Sequence, residues 1–200
     1  MDTLKKLMNP GSVELRDPVA ELSFWIETEA RAQNIWVPRE ISRGSAVFTQ
    51  GDPLECAFLL QSGLVKLVYA TPSGDEWIKS LIVDSGLFGA TNAEQSSPVT
   101  YSAIAIEPSI IVALPIDWFA SQIAASPQCA DRYDRFIEWV LLRKEKRERD
   151  LLCLSAEERY LDLIANEATL LARLPQADIA GFLRITPVAF SRIKRRLRDG

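Results

Sequence analysis

Residues 176–195, QADIAGFLRITPVAFSRIKR, read as two short helices joined by a turn. Ile179, Leu183, Ile185, Phe190 and Ile193, with the small Ala180 at the crossing, supply the apolar positions that two helices meeting at a steep angle must bury. Thr186–Pro187 is an N-cap followed by a proline at the first helical position. With Phe190, Ile193 and Leu197 turned inward, Val188, Ser191, Arg192, Arg195 and Arg196 face outward. The pattern is that of a helix-turn-helix whose second helix offers a small N-terminal end and guanidinium groups to a major groove. Arginine binds guanine O6 and N7 bidentately, whereas hydroxyls and a basic tail suit phosphates. The expected DNA contacts are therefore Gln176, Thr186, Val188, Ala189, Ser191, Arg192, Arg195, Arg196 and Arg198. One position departs from the pattern. Arg184 stands where a turn glycine is usual, at a cost of about 1 kcal/mol if its backbone is left-handed.

Charge is distributed to match. Residues 1–127 hold 8 Lys/Arg against 15 Asp/Glu, while residues 128–200 hold 15 against 12. The last thirty residues carry 7 cations against 2 anions, a basic end on an acidic body, which marks a polyanion contact. A plain helical hairpin with a solvated tail would have no need of Arg192, Arg195 and Arg196 on its open face.

Composition excludes several chemistries. The 200 residues contain no histidine, which removes Cys–His zinc sites, histidine-ligated haem, Ser–His–Asp triads and imidazole acid–base catalysis. The three cysteines, Cys56, Cys129 and Cys153, are widely spaced and form no C-x-x-C pair, as suits buried thiols in a reducing compartment. No constellation places a base beside a nucleophile, so no enzyme, cofactor or metal is expected. No apolar run approaches the ~20 residues of a membrane helix, and the N-terminus has no signal-peptide core. The expectation is a cytoplasmic protein with no membrane partner.

Upstream, residues 18–36 are helical in part. From Val37 to Leu114 short apolar runs alternate with period 2 between glycine-bearing turns, and TPSGDE reads as a hairpin turn. Ser102, Ile104 and Ile106, then Ile110, Val112 and Leu114, repeat the alternation. Many short, evenly spaced strands predict a barrel or jelly roll. After a short helix at 117–124, Ser126–Pro127 starts a run without Gly or Pro to about Leu154, a helix of roughly 27 residues and ~40 Å. Tyr133, Phe136, Ile137 and Val140 lie on its apolar seam, which either packs against a symmetry mate or buries one face on the chain's own barrel. Ser155-Ala-Glu-Glu158 is a capping box that opens a further helix through RYLDLIANEATLL.

Taken together, these segments resemble the Crp/Fnr superfamily of bacterial transcription regulators over nearly the full length. The family's spaced glycines are matched by Gly44, Gly51 in TQGD, Gly63 in QSG, Gly74 in PSGDE, Gly86 in DSG and Gly89 in LFG, and its Ser–Arg pair by Ser191–Arg192. The resemblance implies an α+β chain: a double-stranded β-helix (jelly-roll) effector barrel over 1–126, a long dimerisation helix over 127–154, and a small helix-turn-helix domain over 155–200. It implies double-stranded DNA, a second copy of the chain, RNA polymerase and a small-molecule effector of unknown identity as partners. Only Asp199–Gly200 follow Arg198, so a full two-stranded wing is not expected.

The chain also departs from the family. Its cyclic-nucleotide binders follow FG with a glutamate for the ribose and later place an Arg-Ser pair on the cyclic phosphate. Here Ala90 follows Phe88–Gly89, the pair falls on Tyr101–Ser102, and no arginine stands between Arg43 and Arg132. Burying a phosphate without a paired cation is expensive, so a cyclic nucleotide is not expected. The cysteine cluster of the iron–sulfur branch and the histidine of the haem branch are missing as well. The candidate effector pocket is Phe88, Gly89, Ala90, Tyr101, Ser102 and Ala103, either open to another small molecule or filled. The reading that competes with a DNA-binding regulator is a signalling module whose barrel binds a ligand or protein while the tail only packs.

Overall fold

The computed structural model describes residues 17–89 and 98–199. Helix α1 (Pro18–Ala32) precedes eight strands: β1 (Pro38–Ile41), β2 (Ala46–Phe48), β3 (Cys56–Ser62), β4 (Leu64–Ala70), β5 (Glu76–Val83), β6 (Leu87–Gly89), β7 (Ser102–Ala105) and β8 (Ser109–Pro115). The helices α2 (Ile116–Ala125), α3 (Pro127–Cys153), α4 (Ala156–Asn166), α5 (Ala168–Arg173), α6 (Gln176–Phe182) and α7 (Pro187–Asp199) follow. The strands form two four-stranded antiparallel sheets, ordered β1-β8-β3-β6 and β2-β7-β4-β5. This is the expected jelly-roll barrel with a helical C-terminal region.

Strands β3 and β8 are buried on both faces. Phe58, Leu60 and Ile111 point into the barrel beside Phe48, Val65, Leu67 and Phe88. Leu59, Val112 and Leu114 point the other way, into a core closed by Leu22, Ile26 and Ala30 of α1, Phe119 of α2 and Phe136 of α3. That explains their near-continuous apolar runs where a sheet with one wet face would alternate. In β7 the expected Ser102/Ile104/Ile106 stripe is accompanied by fully buried Ala103 and Ala105, small residues in a strand paired on both sides, by β2 and β4. Gly63 links β3 to β4 at φ 115°, and a Cβ there would lie 2.7 Å from the Ser109 backbone. Only glycine fits that approach.

Two readings of the helical half need correction. Ser126 does not cap α3: its hydroxyl bonds the Gln128 side chain at 2.8 Å, and the N1 proline alone marks the start. The helix that begins at the Ser155/Glu158 capping box, which forms in full, breaks at Glu167 (φ −134°, ψ 35°) into α4 and α5. The break brings Leu163 and Leu174 from different directions onto one core with Ile179, Ala180, Leu183 and Phe190. Of the two readings of the apolar seam of α3, burial on the chain's own barrel describes Phe136. Phe136 is only 7% exposed and lies in the chain's own core, with Tyr133, Ile137 and Val140 packed around it. Burial against the barrel takes this face because α1 and α2 already present apolar residues there. The exposed leucines of α3 are Leu141, Leu142 and, near its C-terminal end, Leu152.

Candidate functional site

The C-terminal helix pair is built as its spacing requires. Ile179, Ala180, Leu183, Phe190 and Ile193 are all buried, and Ile185 is partly so. The Phe190 ring meets Tyr160 edge-on at 4.9 Å between centroids. The Thr186 hydroxyl accepts a bond from the Ala189 N–H at 3.2 Å, which caps α7. Arg184 adopts φ 60°, the left-handed turn conformation, and its guanidinium lies 4.2 Å from the centre of the Trp77 ring. The cation–π contact offsets part of the backbone strain that a glycine would avoid.

On the opposite face Val188 is 62% exposed, and Ser191, Arg192 and Arg195 are exposed beside it. Gln176 is exposed at the start of α6, while Ala189 is half-buried. Ser191 donates to the Pro187 carbonyl at 3.0 Å, leaving its lone pairs free to accept. Arg192 and Arg195 meet no carboxylate among the described residues. Arg196 is drawn back onto Glu157, and Arg198 pairs with Asp199 at 3.1 Å. No acidic residue sits in the first turn of α7, so its positive dipole end is open to phosphate.

The candidate effector pocket is filled by rings among the described residues. Phe58 and Phe88 stack at 5.5 Å, Phe48 lies 5.6 Å from Phe58, and Tyr101 meets Phe48 edge-on at 5.5 Å. The Tyr101 hydroxyl donates to the Gly89 carbonyl at 3.2 Å. Ser102 is buried and accepts the Gln50 N–H at 2.9 Å, and Ala103 is sealed in the core. Ala90 lies outside the described residues. These residues also form no cluster of three or more His, Cys, Asp or Glu suited to a metal, and no helix among them is long and apolar enough to cross a membrane.

A family model for the cyclic nucleotide-binding domain matches residues 38–126, the barrel from β1 through α2. The chain is 28% identical over 149 residues to a CRP-like cAMP-activated global transcriptional regulator of Mycobacterium tuberculosis, a match covering 74% of this chain and 65% of that relative. It is 23% identical over 171 residues to electron transport regulator A of Shewanella oneidensis, covering 80% and 68%. The FixK2 structure from Bradyrhizobium japonicum shares the fold with a TM-score of 0.72 at 17% identity, over 82% of this chain and 85% of that one. These matches run beyond the barrel into the helical half. The chain is similar to regulators of the Crp/Fnr type.

The helix-turn-helix unit is fastened to the barrel by contacts that local spacing does not reveal. Arg173 at the end of α5 reaches Asp84 at 2.7 Å, Glu107 at 2.5 Å and the Gly63 carbonyl at 2.8 Å. Lys66 of β4 pairs with Asp178 of α6 at 2.7 Å. Arg147 of α3 is a strut that donates to the carbonyls of Ile78 and Phe182 at 2.8 and 3.1 Å. Leu64 and Ile106 of the barrel join the core around Phe190, so the two units share apolar packing.

The Arg173 clamp makes stability depend on acidity. The hydrogen bond from Arg173 holds the Asp84 carboxyl below the usual carboxylate range. A carboxylate with a depressed folded pKa stabilises fully above its unfolded value of about 4 and loses that contribution as pH falls through the folded value. Asp84 is half exposed, so the stabilisation is about 1 kcal/mol or less after solvent screening. Thermal melting of Asp84→Asn and the parent chain should differ at pH 7, and the difference should shrink as the pH falls from about 4 toward about 2. A difference that persists unchanged to that pH would remove the ion pair from the account.

Proposed function

We propose that this chain is a sequence-specific DNA-binding transcription regulator that works as a dimer, with a barrel responsive to a small molecule other than a cyclic nucleotide. The observation that carries the reading is the open face of α7, where Val188, Ser191, Arg192 and Arg195 stand exposed and the two guanidiniums have no acidic partner. Charged groups left unpaired beside an open helix N-terminus suit base edges and phosphates. The curated relatives are named as transcription regulators, in agreement with it. RNA polymerase is the protein partner such a function would require. A dimer would use the exposed Leu141 and Leu142 of α3, since Phe136 is committed to the chain's own core.

The cyclic-AMP activation of the Mycobacterium tuberculosis relative is not carried over. No arginine lies between Arg43 and Arg132, and the ring cluster of Phe48, Phe58, Phe88 and Tyr101 occupies the barrel interior. Selection of bound sites from random duplex, run with and without cyclic AMP, tests both parts. The expected product is a pseudo-palindrome with half-sites about one turn, ~34–36 Å, apart, recovered equally in the two arms. No enrichment would reject the DNA reading in favour of a signalling module, and enrichment only with cyclic AMP would reject the effector reading.

A further inference from the structure

Val188 is out of character with the face it stands on. It is 62% exposed, and among the described residues it is the only large apolar side chain of α7 left open. The core has no use for it, since Phe190 and Ile193 fill the buried side of the helix. Around it the face is polar: Ser191, Arg192 and Arg195 are exposed, with Arg192 one turn on at i+4. A β-branched side chain in the first turn also lowers helix propensity, so local structure gives no reason for valine here.

The hydrogen-bonding groups near Val188 are few and mostly donors. Pro187 has no N–H, and the Ala189 N–H is taken by the Thr186 hydroxyl at 3.2 Å. Ser191 gives its proton to the Pro187 carbonyl at 3.0 Å. Residues 187–198 hold no carboxylate, and the guanidiniums of Arg192 and Arg195 only donate. A base edge covered by the Val188 methyls therefore loses water and gains no partner there. An adenine or cytosine amine, or the guanine N7 and O6, would be left unpaired. The 5-methyl of thymine is the one apolar group that a major groove presents, and it loses nothing against valine.

We propose that Val188 reads the 5-methyl group of a thymine in each half-site, within about two base pairs of the guanine taken by Arg192. The spacing follows from geometry: side chains at i and i+4 are about 6 Å apart on a helix, and base pairs rise about 3.4 Å. The inference rests on the DNA-binding reading above and adds a base identity to it. Val188 carries no charge, so it contributes discrimination without phosphate affinity, and its removal leaves the salt dependence unchanged.

The test uses the full chain and the preferred duplex recovered by selection. Each thymidine of a half-site is replaced singly by deoxyuridine, which lacks only the 5-methyl group. One position beside the Arg192 guanine should lose about fourfold in affinity, as for one methyl returned to water. Cytosine at that position should lose about tenfold or more, because its amine faces Val188 without a partner. In Val188→Ala the thymine duplex should bind about fourfold more weakly, deoxyuridine should then cost little more, and the salt slope should stay as it was. The variant removes an exposed side chain and raises helix propensity, so the fold is kept. The deoxyuridine series in the parent chain needs no variant at all. A duplex that is bound but shows no deoxyuridine penalty at any thymine overturns the Val188 assignment and leaves the regulator reading standing. A penalty that persists in full in Val188→Ala assigns the methyl contact to another side chain and overturns it too. Failure of the parent chain to enrich any site is a different result, which rejects the regulator reading and this assignment with it.

Discussion

Phe190→Ala should destabilise the C-terminal helical unit by about 3–5 kcal/mol, the usual cost of removing a large aromatic side chain from a closed core. Phe190 is 1% exposed and lies among Leu163, Leu174, Ile179 and Leu183. Its edge-on contact with Tyr160 is lost in the same change, beyond the loss of buried area. The neighbours come from α4 (Leu163), the loop at Leu174, and α6 with its C-cap (Ile179 and Leu183), so they cannot close the cavity by shifting together. Leu64 and Ile106 belong to the same cluster, and the lesion should therefore loosen the contact with the barrel as well. Urea denaturation followed by circular dichroism measures the loss, and duplex binding should fail in parallel. A loss below about 1 kcal/mol would mean that Phe190 is not the centre of this core.

Arg192→Ala should weaken binding to the preferred duplex by about 1–3 kcal/mol, a factor of roughly five to 150, and relax base preference at one position of each half-site. Arg192 is exposed on the open face of α7 and has no acidic partner to give up on binding. Arg198→Ala should instead weaken all duplexes alike and flatten the salt dependence by about one unit of slope, as for a phosphate contact. Arg196 must first leave Glu157, so its replacement should have a smaller effect than its charge alone suggests. Binding isotherms on preferred and scrambled duplexes across a salt series separate these outcomes. Equal losses on both duplexes for Arg192→Ala would demote it from base reading to phosphate contact.

Several elements were legible because their determinants are neighbours in the chain. Thr186–Pro187 and Ser155/Glu158 act over two or three residues, and both caps form. The turn between β4 and β5 follows from TPSGDE, and the length of α3 from a run without Gly or Pro. The inward and outward faces of α7 follow from helical period once Phe190 is placed inside. Arg184 could be flagged as a strained turn residue from its position alone, and its φ of 60° agrees.

What tertiary structure decided involves partners far apart in sequence. Periodicity showed that Tyr133, Phe136, Ile137 and Val140 share a face, but α1 and the sheet bury that face within the chain. Glu167 carries no glycine or proline signal, yet the helix breaks there where both sides reach one core. Ser102 shares its strand face by period alone, but its burial and its bond from the Gln50 N–H, 52 positions away, come from the packed barrel. Arg173 finds Asp84 and Glu107 across separations of 89 and 66 residues, and Lys66 finds Asp178 across 112. A bulge in the β4–β5 ladder sets Lys79 beside Tyr101, a property of strand register. Local sequence determines which side chains share a face because helix and strand periods are set by backbone geometry; which faces meet is decided only when the sheets and helices pack.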